Sequence, residues 1–485
     1  MNGRGPLYER LYVLLTAALC IGLCLFGIRG RTGYNPIKVS AAYYCTDPFL
    51  NQLGISPTFN LLSSTLEANR KENRYLHLMP ETEALEYARH ALNREGIENI
   101  SPIARQVIPT DSVLRPNIVL IFMESMSANL MKRFGPDKKL TPFLDSLYQQ
   151  SLSFPNFFSA GIHTNHGMYA TLYSFPSIMK RNAMKGSIIP VYSGLPTVLQ
   201  DNGYRTMFFM THESQYDNMN GFFRTNGFEE IYSQENYPAE KVVSGFGVQD
   251  DFLYDYAINR LKKEDVKEKP FFAVLLSISN HPPYVIPSYF HPESSVREEQ
   301  IVEYADWSIR QFMEKAREQE WYNNTIFVLL GDHGRMVGSA DCEMPQSYNH
   351  IPLMIYAPQI GNAREVEVFG GQVDVAPTLL GLLNMKYIQN NMGVDLLKEK
   401  RPCMFFTADN MIGAKDPYNF YIFDPESNQE FCYQIEENGH LQPATDKTSC
   451  DSLKKYAFSM LQTTEYLVQK QLTKDKKQTN TNPTL

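Results

Sequence analysis

Thr325-Ile-Phe-Val-Leu-Leu-Gly-Asp-His-Gly334 is the stretch of sequence that decides the fold. Residues 325–330 are apolar or β-branched and predict a buried strand. Asp332 and His333 follow it, with a glycine on each side, at the carboxyl end of the strand, where open α/β sheets keep their active sites. A carboxylate and an imidazole both bind divalent cations. The pattern therefore indicates a metal site, with a glycine-bounded turn and an exposed His as the alternative.

Asn117-Ile-Val-Leu-Ile-Phe-Met123 is a second run of this kind, and it ends at Glu124. Two predicted strand ends therefore supply acids. Between them along the chain, Thr164 stands at a predicted helix N-cap, beside free backbone N–H groups and the positive end of the helix dipole. A hydroxyl in that place can become a nucleophile. Ordinary capping of the helix is the alternative for this residue.

Eight segments, in their order along the chain, resemble the sulfatase/alkaline phosphatase superfamily and, within it, the lipoteichoic acid synthase-like branch of membrane-bound phosphoglycerol transferases. They are residues 116–125, 141–145, 161–173, 195–204, 279–283, 330–334, 350–354 and 373–378. The resemblance implies an α/β fold of the alkaline phosphatase type. We expect a mixed, mostly parallel, doubly wound sheet sandwiched by helices, followed by a smaller C-terminal α+β subdomain.

The resemblance also implies the site residues. It makes four side chains the ligands of one divalent cation: Glu124, Thr164, Asp332 and His333. Thr164 is then also the nucleophile, and His281 binds the substrate phosphate or assists proton transfer, with a polar loop position as the alternative for His281. Mn²⁺ or Mg²⁺ is expected, with Zn²⁺ as the alternative. The physical chemistry agrees, because a bound cation and a helix N-terminus both stabilise an alkoxide.

Residue types near the nucleophile bear on the substrate. Sulfatases that cleave sulfate esters carry Cys or Ser in a C/S-x-P-x-R pattern, whereas residues 164–168 read Thr-Asn-His-Gly-Met. No formylglycine can form there, so the chain resembles the transferases. Asp217 and Asn218 lie where lipoteichoic acid synthases read the head group, but the aromatic-plus-arginine pair of that branch is missing. These two side chains offer polarity without distinguishing glycerol from ethanolamine.

Other histidines keep two interpretations each. His350 precedes an Ile-Pro pair, as in phosphoethanolamine transferases of the superfamily, and could approach a second zinc or the substrate phosphate. An ordinary His at the start of a strand is the alternative. His212, His163 and His166 are further candidates for substrate contact, with a solvated loop position favoured for each. A second metal stays open.

Residues 11–28 are apolar, uncharged and long enough to cross the ~30 Å hydrocarbon layer. A cleaved signal peptide is the alternative. Arginines flank both ends, so the resemblance alone places the catalytic domain on the extracytoplasmic side of a bacterial cell membrane. The expected organisation is a transmembrane helix in 1–30, a juxtamembrane connector over 31–114, the catalytic domain over 115–400, a C-terminal subdomain over 401–472 and a disordered tail over 473–485.

The charge and cysteine content of the chain limit the kinds of partner and compartment that we expect for it. The chain has 485 residues and a formal net charge of −8, without a basic stripe, which argues against nucleic acid. Cys432 and Cys450, two of seven cysteines, could pair in an oxidising compartment.

The sequence thus predicts a membrane-anchored, metal-dependent transferase that moves a phosphoglycerol-type group from a phospholipid donor to an envelope glycan or polymer through a phospho-threonine. A phosphoethanolamine transferase, or a phosphodiesterase or sulfatase-like hydrolase, is the alternative within the superfamily. An inactive envelope scaffold protein is the alternative from another class.

Overall fold

A computed structural model describes residues 7–32, 36–45, 48–135, 138–185, 189–262, 269–359, 363–437 and 439–475. Within them the largest sheet has eight strands, which lie side by side in the order Arg364–Glu365, Leu152–Ser153, Leu353–Tyr356, Thr325–Gly331, Asn117–Met123, Phe271–Leu276, Arg205–Met210 and Glu230–Tyr232. Leu353–Tyr356 is antiparallel to both of its neighbours, and all other neighbouring strands are parallel. The predicted mixed, mostly parallel sheet is confirmed.

The α-helices in the described residues are Leu7–Arg29, Pro48–Leu53, Pro57–Ala68, Glu81–Ala91, Pro142–Gln149, Thr164–Tyr173, Leu195–Asp201, Met219–Thr225, Asp250–Leu261, Arg297–Arg317, Val375–Leu382 and Asp451–Gln469. Helices among these pack on both faces of the sheet, and alternate residues of a strand point to opposite faces. In Asn117–Met123, for example, Leu120 packs in the core under helix Thr164–Tyr173, and Ile121 packs in the core under helix Arg297–Arg317. This is the expected doubly wound arrangement.

Strand register determines where the candidate ligands meet. The central strands Thr325–Gly331 and Asn117–Met123 are fully buried and parallel, with Gly331 opposite Met123. The next residue of each strand is an acid, so Asp332 and Glu124 leave the same edge of the sheet side by side.

The C-terminal part is an antiparallel sheet, in the order Met404–Ala408, Met411–Lys415, Asn419–Asp424, Gln429–Ile435 and Leu441–Pro443, with helix Asp451–Gln469. This matches the predicted α+β subdomain. Cys432 and Cys450, whose pairing the sequence left open, form a disulfide that joins a strand to the start of the helix.

The segment predicted as a connector, residues 31–114, is tied into the fold. Its helix Glu81–Ala91 packs against helix Asp451–Gln469, and its strand Arg105–Val107 pairs with Tyr387–Gln389. Two further small ladders pair Phe157–Phe158 with Gly370–Gly371 and Val242–Ser244 with Gly247–Val248.

Both ends of the described chain bear on the predicted organisation. Residues 8–29 form one helix long and apolar enough to span a membrane. At the other end, Thr473 is buried and donates a hydrogen bond to the Val191 carbonyl at 2.6 Å. The first residues of the predicted disordered tail are therefore packed on the catalytic domain, which is a correction. The rest of that tail, residues 476–485, lies outside the described residues.

Candidate active site

Two carboxylates form the floor of the site. The Glu124 and Asp332 side chains are at most 1% exposed. Oδ1 of Asp332 accepts hydrogen bonds from the backbone N–H groups of Ser125 at 2.8 Å and His333 at 2.7 Å. Its other oxygen, Oδ2, is buried without a hydrogen-bond partner among the described residues. A carboxylate oxygen left in this way requires a cation or a proton.

His333 faces both acids. Its Nε2 lies 3.7 Å from Glu124 Oε1 and 3.6 Å from Asp332 Oδ2. Its Nδ1 lies 2.8 Å from the Gly334 carbonyl, which can only accept, so we assign the ring proton to Nδ1. The lone pair on Nε2 is then directed towards the acids, as a metal-binding His requires.

Thr164 completes the group. It is the first residue of helix Thr164–Tyr173, and its hydroxyl donates to Glu124 Oε2 at 3.4 Å. The predicted N-cap position is wrong by one residue, because His163 holds the extended backbone of the cap. The Thr164 hydroxyl therefore lies at the positive end of the helix and points at Glu124.

These residues fit a divalent cation. One ligand atom each from Glu124, Asp332 and His333 lies within 4.8 Å of the others. Burial, and then the charge of Asp332, raise the pKa of Glu124 well above its ordinary value. The raised pKa means that ionising Glu124 costs free energy in the absence of a cation. A dication removes this cost, since it compensates two buried negative charges that otherwise repel each other. Oxygen-rich sites suit Mg²⁺ or Mn²⁺, and the imidazole also suits Zn²⁺.

Several supporting residues were not predicted from the sequence. Gln372 donates through Nε2 to the carbonyls of Gly331 (2.9 Å) and Asp332 (2.7 Å), and its Oε1 accepts from the Ala160 N–H at 2.9 Å. Asn280 donates to the Glu124 carbonyl at 3.1 Å. Hydrogen bonds between side chain and backbone leave no pattern in a single sequence, so these residues become visible only in the fold.

Gly167 explains the close approach of helix and strand. A Cβ atom at this position would lie 2.0 Å from the Asp332 carbonyl oxygen. Only glycine lets the first turn of helix Thr164–Tyr173 contact the strand end that carries Asp332, which places Thr164 beside the acids.

Two other predicted residues lie around this centre. Asp217 Oδ2 accepts from Asn165 Nδ2 at 3.0 Å, so it is one side chain away from Thr164. His281 hydrogen-bonds through Nδ1 to the Pro282 carbonyl at 2.6 Å, and its ring centroid lies 4.2 Å from that of Phe246. With the proton assigned to Nδ1, its Nε2 is left for a substrate.

Asn218 and His212 support the same segment. Asn218 Nδ2 donates a hydrogen bond to the Met184 carbonyl at 2.6 Å. The side-chain N–H group of the residue predicted to bind a head group is therefore already hydrogen-bonded within the protein. His212 is buried against Tyr216, with 4.6 Å between ring centroids, and its Nδ1 lies 3.1 Å from the Glu213 carbonyl. The solvated loop position expected for His212 is therefore wrong.

The remaining histidines differ from one another. His163 is exposed and pairs with Asp409 at 2.9 Å. His166 is buried, because its position in the helix faces the core, and burial lowers its pKa to about 3; the solvated position expected for it is wrong. The His350 ring packs against Phe134 and Phe158 and bonds through Nε2 to the Pro155 carbonyl at 2.8 Å. Within the described residues, His350 is not part of the ligand group.

A family model described as Sulfatase matches residues 116–385, more than half of the chain. The chain belongs to the sulfatase family. Within the superfamily, this sulfatase-family protein is similar to lipoteichoic acid synthases. Lipoteichoic acid synthase 1 of Bacillus subtilis is 25% identical over 329 residues, 58% of this chain and 48% of the relative. The lipoteichoic acid synthase-like protein YvgJ of the same organism is 22% identical over 67% of this chain and 58% of its own.

Solved structures agree with the fold. An alkaline phosphatase superfamily protein from Vibrio parahaemolyticus has a TM-score of 0.74, with 24% identity over 84% of this chain and all of its own. The lipoteichoic acid synthase LtaP from Listeria monocytogenes has a TM-score of 0.64, with 19% identity over 79% of this chain and 98% of its own. The sulfatase-family protein spans about half the length of the curated relatives it matches.

Proposed function

We propose that this protein is a membrane-anchored, metal-dependent transferase that moves a phosphoglycerol-type group from a phospholipid to an envelope glycan or polymer. The observation that carries the proposal is the Thr164 hydroxyl, 3.4 Å from Oε2 of Glu124, which forms one group of candidate ligands with Asp332 and His333. A hydroxyl that donates to a buried acid of the candidate metal site, at the start of a helix, is arranged for nucleophilic attack.

The first half-reaction forms a bond between Thr164 Oγ and the phosphorus of the donor, and breaks the bond from phosphorus to the diacylglycerol oxygen. Glu124 Oε2 takes the proton that Thr164 loses, and His281, which enters this step protonated on both ring nitrogens, gives the proton of Nε2 to the diacylglycerol oxygen. A divalent cation held by Glu124, Thr164, Asp332 and His333 would stabilise the charge that develops on the phosphoryl oxygens.

The second half-reaction reverses these roles. His281 Nε2 takes the proton of the acceptor hydroxyl while its oxygen bonds to phosphorus. The bond from phosphorus to Thr164 breaks, and Thr164 recovers its proton from Glu124. Donor and acceptor therefore react in separate steps, which predicts ping-pong kinetics.

The surroundings of Asp217 favour glycerol over ethanolamine. Its Oδ1 is paired with Lys185 Nζ at 2.9 Å. Burial opposes ionisation of this carboxyl, but the ammonium of Lys185 outweighs it and lowers the pKa of Asp217. The charge of Asp217 is thus already neutralised, so a substrate ammonium has no free carboxylate there, whereas glycerol hydroxyls need only hydrogen-bond partners.

The same proposal places the catalytic domain outside the cytoplasm, with Leu7–Arg29 in the membrane. The disulfide between Cys432 and Cys450 supports this side, because disulfides persist in oxidising compartments and are rare in the cytosol.

Trapping of the intermediate tests the proposal. The full chain is incubated in nanodiscs with Mn²⁺ and either phosphatidylglycerol or phosphatidylethanolamine. It is then digested, and the mass of the peptide that contains Thr164 is measured by mass spectrometry. We expect one glycerophosphoryl adduct with phosphatidylglycerol, retained in Thr164→Ser and lost in Thr164→Ala. A phosphoethanolamine adduct alone would establish the ethanolamine transferase instead. No adduct with either lipid, together with no bound metal, would support an inactive scaffold.

A further inference from the structure

Exposed apolar side chains are concentrated shortly after helix Leu7–Arg29. Outside that helix, the described residues include sixteen exposed large apolar side chains, and seven of these lie within residues 44–66. Four of the seven belong to helix Pro57–Ala68: Phe59, Leu61, Leu62 and Leu66. The three leucines are 61–73% exposed. Apolar surface concentrated in this way marks a contact with a partner or with a membrane.

Helix Pro57–Ala68 turns its polar face, and not its apolar face, towards the protein. Its half-buried positions are polar and have the spacing of a single helical face: Asn60, Ser63, Ser64 and Glu67. Phe59, Leu62 and Leu66 form an exposed stripe with spacings of three and four residues. A helix on the surface of a soluble protein normally does the reverse and places its apolar stripe on the core. The outer face of this helix therefore suits an apolar medium.

The polar groups of this helix do not oppose transfer of its outer face to an apolar medium. Its one charged residue, Glu67, is on the half-buried face. The Thr65 hydroxyl donates to the Leu61 carbonyl at 2.8 Å. At the end of the helix, Asn73 Nδ2 donates to the Glu67 carbonyl at 2.8 Å. A polar group is costly in lipid mainly when it lacks a hydrogen-bond partner, and these groups have theirs.

The chain between the two helices returns to the end of Leu7–Arg29. The Ile37 N–H donates to the Arg29 carbonyl at 2.9 Å, and Arg31 pairs with Glu213 of the catalytic domain. The end of helix Leu7–Arg29 and the catalytic domain are therefore close together. Because helix Pro57–Ala68 belongs to the same domain and begins only twenty residues after Ile37, a bilayer is the apolar medium nearest to it.

Contacts on both sides of helix Pro57–Ala68 fix it to the catalytic domain. Before it, Tyr43 is buried in the core, and its carbonyl accepts from Asn220 Nδ2 at 2.8 Å. Ile55 packs against the same core. After it, the Leu78 N–H donates to Gln462 Oε1 at 2.8 Å. A force that acts on this helix therefore acts on the whole catalytic domain.

We propose that helix Pro57–Ala68 is a docking helix, which lies in the surface layer of the bilayer that Leu7–Arg29 spans. Phe59, Leu62 and Leu66 enter the boundary between head groups and acyl chains, where interfacial helices bury their apolar faces. The docking helix rests on the membrane placement given under the proposed function. It adds a second contact with the bilayer, which keeps the catalytic domain at the surface where a lipid donor lies.

Quenching of tryptophan emission by brominated lipid tests the docking helix. Leu62→Trp and Leu66→Trp are each made in the full chain, with one chain per nanodisc, so that a second copy cannot cover the helix. The nanodiscs contain phosphatidylcholine brominated near the top of its acyl chains, and the wild type corrects for the two native tryptophans. We expect loss of emission in both variants and in Leu19→Trp, which lies inside Leu7–Arg29. Tyr418→Trp, at an equally exposed position of the C-terminal subdomain, should keep its emission.

The outcomes separate the docking helix from the membrane anchor. Quenching of Leu19→Trp without quenching of Leu62→Trp or Leu66→Trp would overturn the docking helix and leave the anchor in place. Absence of quenching at all three positions would overturn the membrane placement, and the docking helix with it.

Labelling of Thr164 measures what docking does for the reaction. The rate with phosphatidylglycerol in nanodiscs is divided by the rate with a monomeric, short-chain phosphatidylglycerol. Leu62→Asn combined with Leu66→Asn should lower this ratio at least about tenfold, the effect of moving one leucine from an apolar environment to water. Ile108→Asn changes an equally exposed apolar residue outside residues 44–66 and should leave the ratio unchanged. An unchanged ratio in the double variant would overturn the role of docking in turnover. Absence of labelling in the wild type would overturn the proposed transferase, whereas the quenching result would stand.

Discussion

Asp332→Asn should stabilise the metal-free protein and abolish its stabilisation by Mn²⁺. In the metal-free state, Asp332 and Glu124 are two buried acids with ligand atoms no more than 4.8 Å apart. When both carboxyls are ionised, their repulsion at an effective dielectric constant of about 20 is about 3 kcal/mol. The substitution removes this repulsion and keeps an oxygen to accept from Ser125 and His333.

In a chain of this size, about 3 kcal/mol corresponds to a shift of about 3 °C in the unfolding midpoint. Differential scanning fluorimetry in EDTA should therefore place Asp332→Asn about 3 °C above the wild type. Mn²⁺ at about 100 times its dissociation constant adds about 2.7 kcal/mol to the stability of the wild type, so it should raise the unfolding midpoint of the wild type by a similar amount. The unfolding midpoint of the variant should not change.

Asp250→Asn is the matched control. Asp250 is also a buried acid, and it accepts from the backbone N–H groups of Ile278 (2.8 Å) and Ser279 (3.0 Å), but it is not in the ligand group. Its variant should keep the full shift with Mn²⁺. If Asp332→Asn is less stable than the wild type in EDTA, or still responds to Mn²⁺, Glu124 and Asp332 do not hold a shared cation.

Three further predictions concern stability. Replacement of Cys432 and Cys450 by Ala, which opens a loop of 18 residues, should lower the free energy of unfolding by about 3 kcal/mol in urea titrations; an unchanged midpoint would contradict this. Burial lowers the pKa of His350 to about 4, below the value that His350 has in the unfolded chain. The contribution of neutral His350 to the free energy of unfolding is therefore complete above about pH 6.5 and is lost as the pH falls. Between pH 7.5 and pH 5 the wild type should lose about 2 kcal/mol more than His350→Gln in the same titrations, and parallel pH profiles would refute the assignment. Arg401→Met leaves the buried carboxylate of Asp374 without its guanidinium and should cost about 3–5 kcal/mol, whereas Asp374→Asn combined with Arg401→Met should recover part of that loss.

Much of the fold was visible in the sequence because its central strands are short and continuously apolar. Residues 118–123 and 326–330 are apolar throughout, which is typical of strands covered on both faces. Acids directly after such strands predict a shared site, since parallel strands end at one edge. Prediction was poorer for histidines: His166 and His212 are buried, although their polar neighbours in the sequence suggested solvent. Burial depends on what packs above a residue, and that information is spread over distant segments.

The sequence by itself determined the strand ends, the candidate ligands Glu124, Asp332 and His333, and an apolar N-terminal helix, because each follows from short-range patterns of polarity and spacing. Only the tertiary structure decided that Thr164 points at Glu124, that Gln372 supports the Asp332 backbone and that Asn165 donates to Asp217. These contacts join residues far apart in the chain, and they form only when helices and strands pack in one register. The physical reason is that side-chain distance is set by packing across the sheet, which local sequence does not encode.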